Sequence, residues 1–152
     1  MRTPADRFAD YKWVYADKDP DALSQLTERI AQAGRQGRLI TYSDLVRGVK
    51  FCISTVNGGN PFEIDPHDWS DLDRAIVGDF LGLISCQSYS SAKVFASALV
   101  VSKADGTPGP GFGQLMRDLG IVMSPSKDAE LECWITEVQN AYRWYSGSTS
   151  ST

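Results

Sequence analysis

A chain of 152 residues, 42% apolar and 22% charged, has the size and composition of one globular domain with its own core. Asp and Glu number 19 against 15 Lys and Arg, a net charge of −4. That balance excludes a large phosphate-wrapping surface and leaves room for a small basic patch.

In chain order, Thr3-Pro4 reads as a helix start, a hydroxyl cap followed by a proline whose missing N–H costs nothing there. Phe8, Tyr11, Trp13, Val14 and Tyr15 make the following stretch to Ala16 too aromatic for a solvated arm. Asp19-Pro20 repeats the start signal, Leu23, Leu26 and Ile30 fall at helical spacing, and Gly34 to Gly37 ends that helix. Thr41 and Asp44 have the spacing of a cap for a short helix over Tyr42 to Gly48. Phe51 to Val56, Asn57-Gly58-Gly59-Asn60 and Pro61 to Ile64 read as a small hairpin or an ordered loop.

Asp65-Pro66 opens the clearest helical pattern, with Leu72, Ile76, Phe80, Leu83 and Ile84 on one face. Val94 to Ser102 reads as a buried strand, Lys103 to Gly111 as a tight Gly/Pro turn, and Phe112 to Leu119 as a helix stopped by Gly120. A last helix after Ser124-Pro125-Ser126 aligns Leu131, Trp134, Ile135, Val138, Ala141 and Tyr142 on one stripe, with Tyr145 behind. Residues 1–146 form a single compact domain in this reading, and 147–152 a disordered polar tail. Acidic and aromatic residues follow Met1-Arg2 at once, with no apolar signal core, and no apolar run is long enough to span a bilayer. Cys52, Cys86 and Cys133 form no Cys-x-x-Cys and sit among apolar neighbours, so a reducing cytoplasm is the expected location, with no metal and no cofactor.

No motif specifies catalysis. The one histidine, His67, lies between Asp65 and Asp68 and reads as an exposed first-turn residue, not a general base. Ser90-Ser91-Ala92-Lys93 matches Ser-x-x-Lys without its two companion motifs. The stretch Gly106-Thr107-Pro108-Gly109-Pro110-Gly111-Phe112-Gly113 has the strand–turn–helix layout of a phosphate loop but not its spacing, and two prolines remove donors. A structural turn is expected, with Gly109, Gly111 and Gly113 as the alternative anion site. The aromatics near the two chain ends read as terminal helices packing on each other.

Three segments together carry a resemblance: Leu39-Ile40-Thr41-Tyr42-Ser43-Asp44-Leu45, Asp73-Arg74-Ala75-Ile76-Val77-Gly78, and Ala98-Leu99-Val100-Val101-Ser102-Lys103 with its glycine turn. They resemble an uncharacterised bacterial family across most of the chain. From about residue 39 to residue 111 the same order is similar to the winged-helix domain of O6-alkylguanine-DNA alkyltransferases and alkyltransferase-like proteins. The resemblance implies an α+β, mostly helical fold: a winged-helix-like core with extra N- and C-terminal helices and a small β-hairpin wing. It also implies that Tyr42 and Arg74 stand where that family has its tyrosine and its base-stack-inserting arginine. Where the alkyl-accepting cysteine would stand, this chain has Phe95-Ala96-Ser97-Ala98-Leu99, so alkyl transfer is excluded on chemical grounds.

Two functional readings follow. The first is a non-enzymatic winged-helix-like module that binds a protein partner or a second copy of itself. The second is a nucleic-acid-binding regulator using Tyr42, Ser43, Arg47, Arg74 and Lys103. Charge favours the first, because Asp68, Asp71, Asp73 and Asp79 surround Arg74 on the candidate recognition helix. A small hydrolase or transferase near His67 and the Asn57–Asn60 loop ranks third.

Overall fold

The computed structural model describes residues 3–122 and 126–149. It is an α+β fold, mostly helical, with one two-stranded parallel sheet. Helix α1 (Pro4–Ala9) is closed by a reciprocal cap: Thr3 Oγ1 accepts the Asp6 N–H, and the Asp6 carboxylate accepts the Thr3 N–H. It stops at Ala9, so the aromatic run 11–15 lies outside the helix as an irregular arm that leads into a 3-10 turn at Ala16–Lys18.

Helix α2 (Pro20–Arg35) starts on Asp19, a buried carboxylate with two tasks. Its Oδ1 accepts the Ala22 N–H, and its Oδ2 accepts the Cys52 N–H from a distant loop at 2.6 Å. Strand β1 (Ile40–Thr41) runs straight into helix α3 (Tyr42–Val46), capped by Thr41 as its spacing predicts. Arg29 on α2 donates to the carbonyls of Asp44, Leu45 and Arg47, satisfying the exposed end of this one-turn helix.

The 51–62 loop closes through a single antiparallel bridge between Phe51 and Phe62, whose rings stack 5.6 Å apart. Helix α4 (Asp71–Ala92) begins later than Asp65-Pro66 suggested, at a Ser70–Asp73 capping box. Ile76, Phe80 and Ile84 enter the core, whereas Leu72 is 46% exposed. The segment 94–102 is buried but mostly not extended. It makes a 3-10 turn (Ala96–Leu99) and then strand β2 (Val100–Val101), paired with β1 as Ile40 to Val100 and Thr41 to Val101. Hydroxyls of α4 explain the turn: Ser88 Oγ accepts the Ala96 N–H and donates to the Val94 carbonyl, while Ser85 Oγ accepts the Ser97 N–H.

The expected antiparallel wing is absent among the described residues. After β2 the chain closes a turn, with the Ser102 N–H on the Thr107 carbonyl and Gly106 at φ 69°, and enters helix α5 (Pro110–Asp118) directly. Helix α6 (Lys127–Thr149) continues through the first three residues of the expected tail, so 147–149 are helical; 150–152 lie outside the described residues. Leu131 and Ile135 of its expected apolar stripe are about half exposed, and the buried line is Ala141 and Tyr145.

Two apolar clusters result. The larger joins α2, α4, β1, β2 and the far half of α6; the smaller holds Phe8, Phe95, Met116 and Leu119 between α1, α5 and the 3-10 turn. The terminal helices were expected to pack on each other. They share only this second cluster, through Phe8 and Trp134, while α1 packs on α4 and α6 on α2. Among the described residues, no helix is long and apolar enough to cross a membrane.

Candidate functional site

Gly78 and Gly82 stand one helical turn apart on α4, and the missing side chains leave a trough along the helix. Elements on either side deepen it into a cleft of about 920 Å³. Trp13 lies over Gly82, where an added Cβ would stand 3.0 Å from Cζ3 of the indole.

One wall is the arm carrying Tyr11, Lys12 and Trp13. Asp79 fixes it: a single carboxylate oxygen, Oδ2, accepts the backbone N–H groups of Val14, Tyr15 and Ala16 at 3.1, 2.9 and 2.8 Å. Three converging amides hold an anion as a helix start does. The Tyr11 hydroxyl donates to Asp118 on α5, and burial together with that carboxylate pushes the phenol up to about 12.

Tyr42 and Ser43 at the start of α3, with Pro66 and Trp69 before α4, form the opposite wall. The Pro66 carbonyl accepts from Trp69 Nε1 at 3.2 Å and from Ser43 Oγ at 3.4 Å, which ties the two segments together. The turn after β2 closes one end, where the Tyr42 hydroxyl accepts the Gly109 N–H at 3.0 Å. Burial raises the Tyr42 phenol, with the Gly109 bond pulling the other way.

Four of the five contact residues read from the sequence therefore line one cavity: Tyr42, Ser43, Arg74 and Lys103. Arg47 does not. It pairs with Asp44 at 3.1 Å on the outer face of α3. Arg74 reaches the rim but is bridged to Asp71 at 3.2 Å. The three glycines proposed as an anion cradle are not equivalent. Gly109 has spent its amide on Tyr42, Gly111 faces the cleft, and Gly113 sits against the carboxylate of Glu130. An anion would meet one donor there and a like charge nearby.

Tyr11, Trp13, Trp69 and Asp79 belong to the site and were missed as such. The signal for the trough was in the sequence, in the four-residue spacing of Gly78 and Gly82. The partners of Asp79 lie more than sixty positions away, and no local pattern reveals them.

No histidine or cysteine lines this cleft among the described residues. His67 is exposed, with its backbone N–H on Asp65, and the Asn57–Asn60 loop is a 3-10 turn held by left-handed Asn57 and Gly58. Lys93 ends α4 with its ammonium 4.8 Å over the Tyr89 ring, which places the Ser-x-x-Lys match at a helix terminus. The Cys133 thiol is pushed up to about 11 by burial and the Glu137 charge, making it a poor nucleophile. It lies with Glu137 in a shallower hollow of about 490 Å³ between Ile121 and α6. Among the described residues, no group of three or more His, Cys, Asp or Glu stands where it could hold a metal ion.

No family model, no curated protein and no solved structure matches the chain.

Proposed function

We propose that this chain is a non-enzymatic, cytoplasmic binding module that seats a segment of a polypeptide partner in the cleft on α4. The observation that carries this reading is an aromatic-walled, largely apolar trough of about 920 Å³ with both signs of charge on its rim. Recognition sites for flexible ligands have this character: apolar walls supply affinity and a few placed polar groups fix orientation. Exposed Asp71, bridged to Arg74 at the rim, disfavours a phosphate backbone there. The order β1–α3–α4–β2–turn–α5 supports treating the core as winged-helix-like, a frame that serves protein as well as nucleic-acid partners. Three unpaired thiols accord with a reducing compartment.

A second reading, nucleic-acid binding, is favoured by one observation. Tyr42 and Arg74, the positions that the alkyltransferase resemblance implies as DNA contacts, line the same cleft as Lys103. Titration of Trp13 and Trp69 fluorescence at low salt, with peptides in one arm and single-stranded or duplex DNA in the other, separates the two. Peptide binding without DNA binding supports the first. DNA affinity that falls steeply with salt and disappears in Arg74→Ala supports the second.

A further inference from the structure

The hydrogen-bonding groups of the cleft are unevenly spent, and the imbalance names the kind of segment it fits. Three cations (Lys12, Arg74, Lys103) and three carboxylates (Asp79, Asp105, Asp118) line the cavity, so its own charges cancel and no net field draws in a polyanion.

The short-range inventory is different. Every carboxylate already accepts from its own chain: Asp79 from three backbone amides, Asp105 from the Thr107 amide and hydroxyl, Asp118 from Tyr11 and Gln114. The donors are largely uncommitted. Lys12 and Lys103 have no ion-pair or hydrogen-bond partner among the described residues, and neither does Trp13 Nε1. Tyr42 Oη accepts from Gly109 and keeps its own proton to give.

We propose that the partner segment is acidic: an apolar or aromatic side chain lies on the Gly78–Gly82 trough, and flanking carboxylates accept from Lys12, Lys103 and the Tyr42 hydroxyl. This deepens the polypeptide reading of the same cleft and rests on it. A charge-assisted bond needs one carboxylate within reach of one donor, which a peptide offers. A nucleic acid brings its phosphates as a row, and the row also meets Asp71 beside Arg74 at the rim.

Three synthetic peptides of equal length and the same central Phe test it, one flanked by Asp and Glu, one by Asn and Gln, one by Lys. Their affinities are read on the full chain by tryptophan fluorescence and calorimetry. The acidic peptide is expected to bind at least about tenfold more tightly than the amide peptide, about 1.4 kcal/mol. The preference should vanish in Lys12→Gln/Lys103→Gln, whose two changed side chains are exposed and leave the core intact. Equal affinity for all three peptides overturns the acidic assignment and leaves the polypeptide cleft standing. Tighter binding of the Lys peptide does the same. If no peptide binds and a single-stranded oligonucleotide does, the polypeptide reading itself falls.

Discussion

The hydroxyl of Tyr42, at the first residue of α3, accepts the backbone N–H of Gly109, the residue before α5, at 3.0 Å across 67 positions of sequence. It joins the two segments that close one end of the cleft. The phenol is half-buried, so losing its oxygen leaves the Gly109 amide without that acceptor. Tyr42→Phe is expected to cost about 1 kcal/mol in urea denaturation. Gly109→Ala should perturb the same spot from the other side, because its Cβ would stand 2.9 Å from the hydroxyl oxygen. Both variants should weaken peptide binding more than their loss of stability explains.

Asp79 holds the arm, and the cost of removing it should be large for one side chain. Ala16 is fully buried, and among the described residues its amide has no other acceptor once Oδ2 is gone. Asp79→Ala is expected to lose about 3 kcal/mol, with Asp79→Asn intermediate because an amide oxygen still accepts. Hydrogen exchange checks the mechanism. The amides of Val14, Tyr15 and Ala16 should exchange much faster in Asp79→Ala, while those of α2 change only with global stability.

How much of this was legible in the sequence divides along range. Thr3, Asp19 and Thr41 were read as caps from their own spacing and make those contacts in the fold. The α4 stripe of Ile76, Phe80 and Ile84 was equally plain, because periodicity needs only neighbours. The strand expected over 94–102 is confined to Val100–Val101 for a tertiary reason. An apolar run is buried in either conformation, and the Ser85 and Ser88 hydroxyls supply what a strand partner would have given. The cleft was half legible: Tyr42, Ser43, Arg74 and Lys103 came from motif order, while the arm that faces them is placed by distant contacts to Asp79, Asp118 and Gly82.

Gly34 and Tyr145 set a limit on how α2 and α6 pack. A Cβ at Gly34 would stand 2.2 Å from Cδ2 and 2.6 Å from Cγ of the buried Tyr145 ring. Alanine improves helix propensity by about 1 kcal/mol, but overpacking at a buried contact costs about 1–3 kcal/mol. The clash reaches atoms near the ring's root, which cannot swing aside, so the second effect wins. Gly34→Ala should lower the unfolding midpoint and leave peptide affinity unchanged, since this contact lies outside the cleft.

Glu137 gives a pH signature. Burial raises its carboxyl above the ordinary 4.5, and the Asn140 side-chain amide offsets that only in part. Because the folded value is raised, the stability from the protonated form is complete below the ordinary range and is lost as pH rises through the folded value. Glu137→Gln keeps the shape and removes the charge. The variant should therefore exceed the parent in stability at about pH 8, with the gap narrowing toward about pH 4. Denaturant midpoints of the two proteins measured side by side isolate this group from the capping aspartates, which both share.

On the proposed reading, the α4 trough between Trp13 and Trp69 seats an acidic chain against the donors of Lys12, Lys103 and Tyr42. Mapping backbone amide shifts of the isotope-labelled protein while titrating the Asp/Glu-flanked peptide tests it most directly. The expected result is a contiguous set of perturbed signals from Lys12, Trp13, Tyr42, Gly78, Gly82 and Gly109. Shifts confined to the exposed Leu131–Ile135 face of α6, or a spectrum unmoved at saturating peptide, would contradict it.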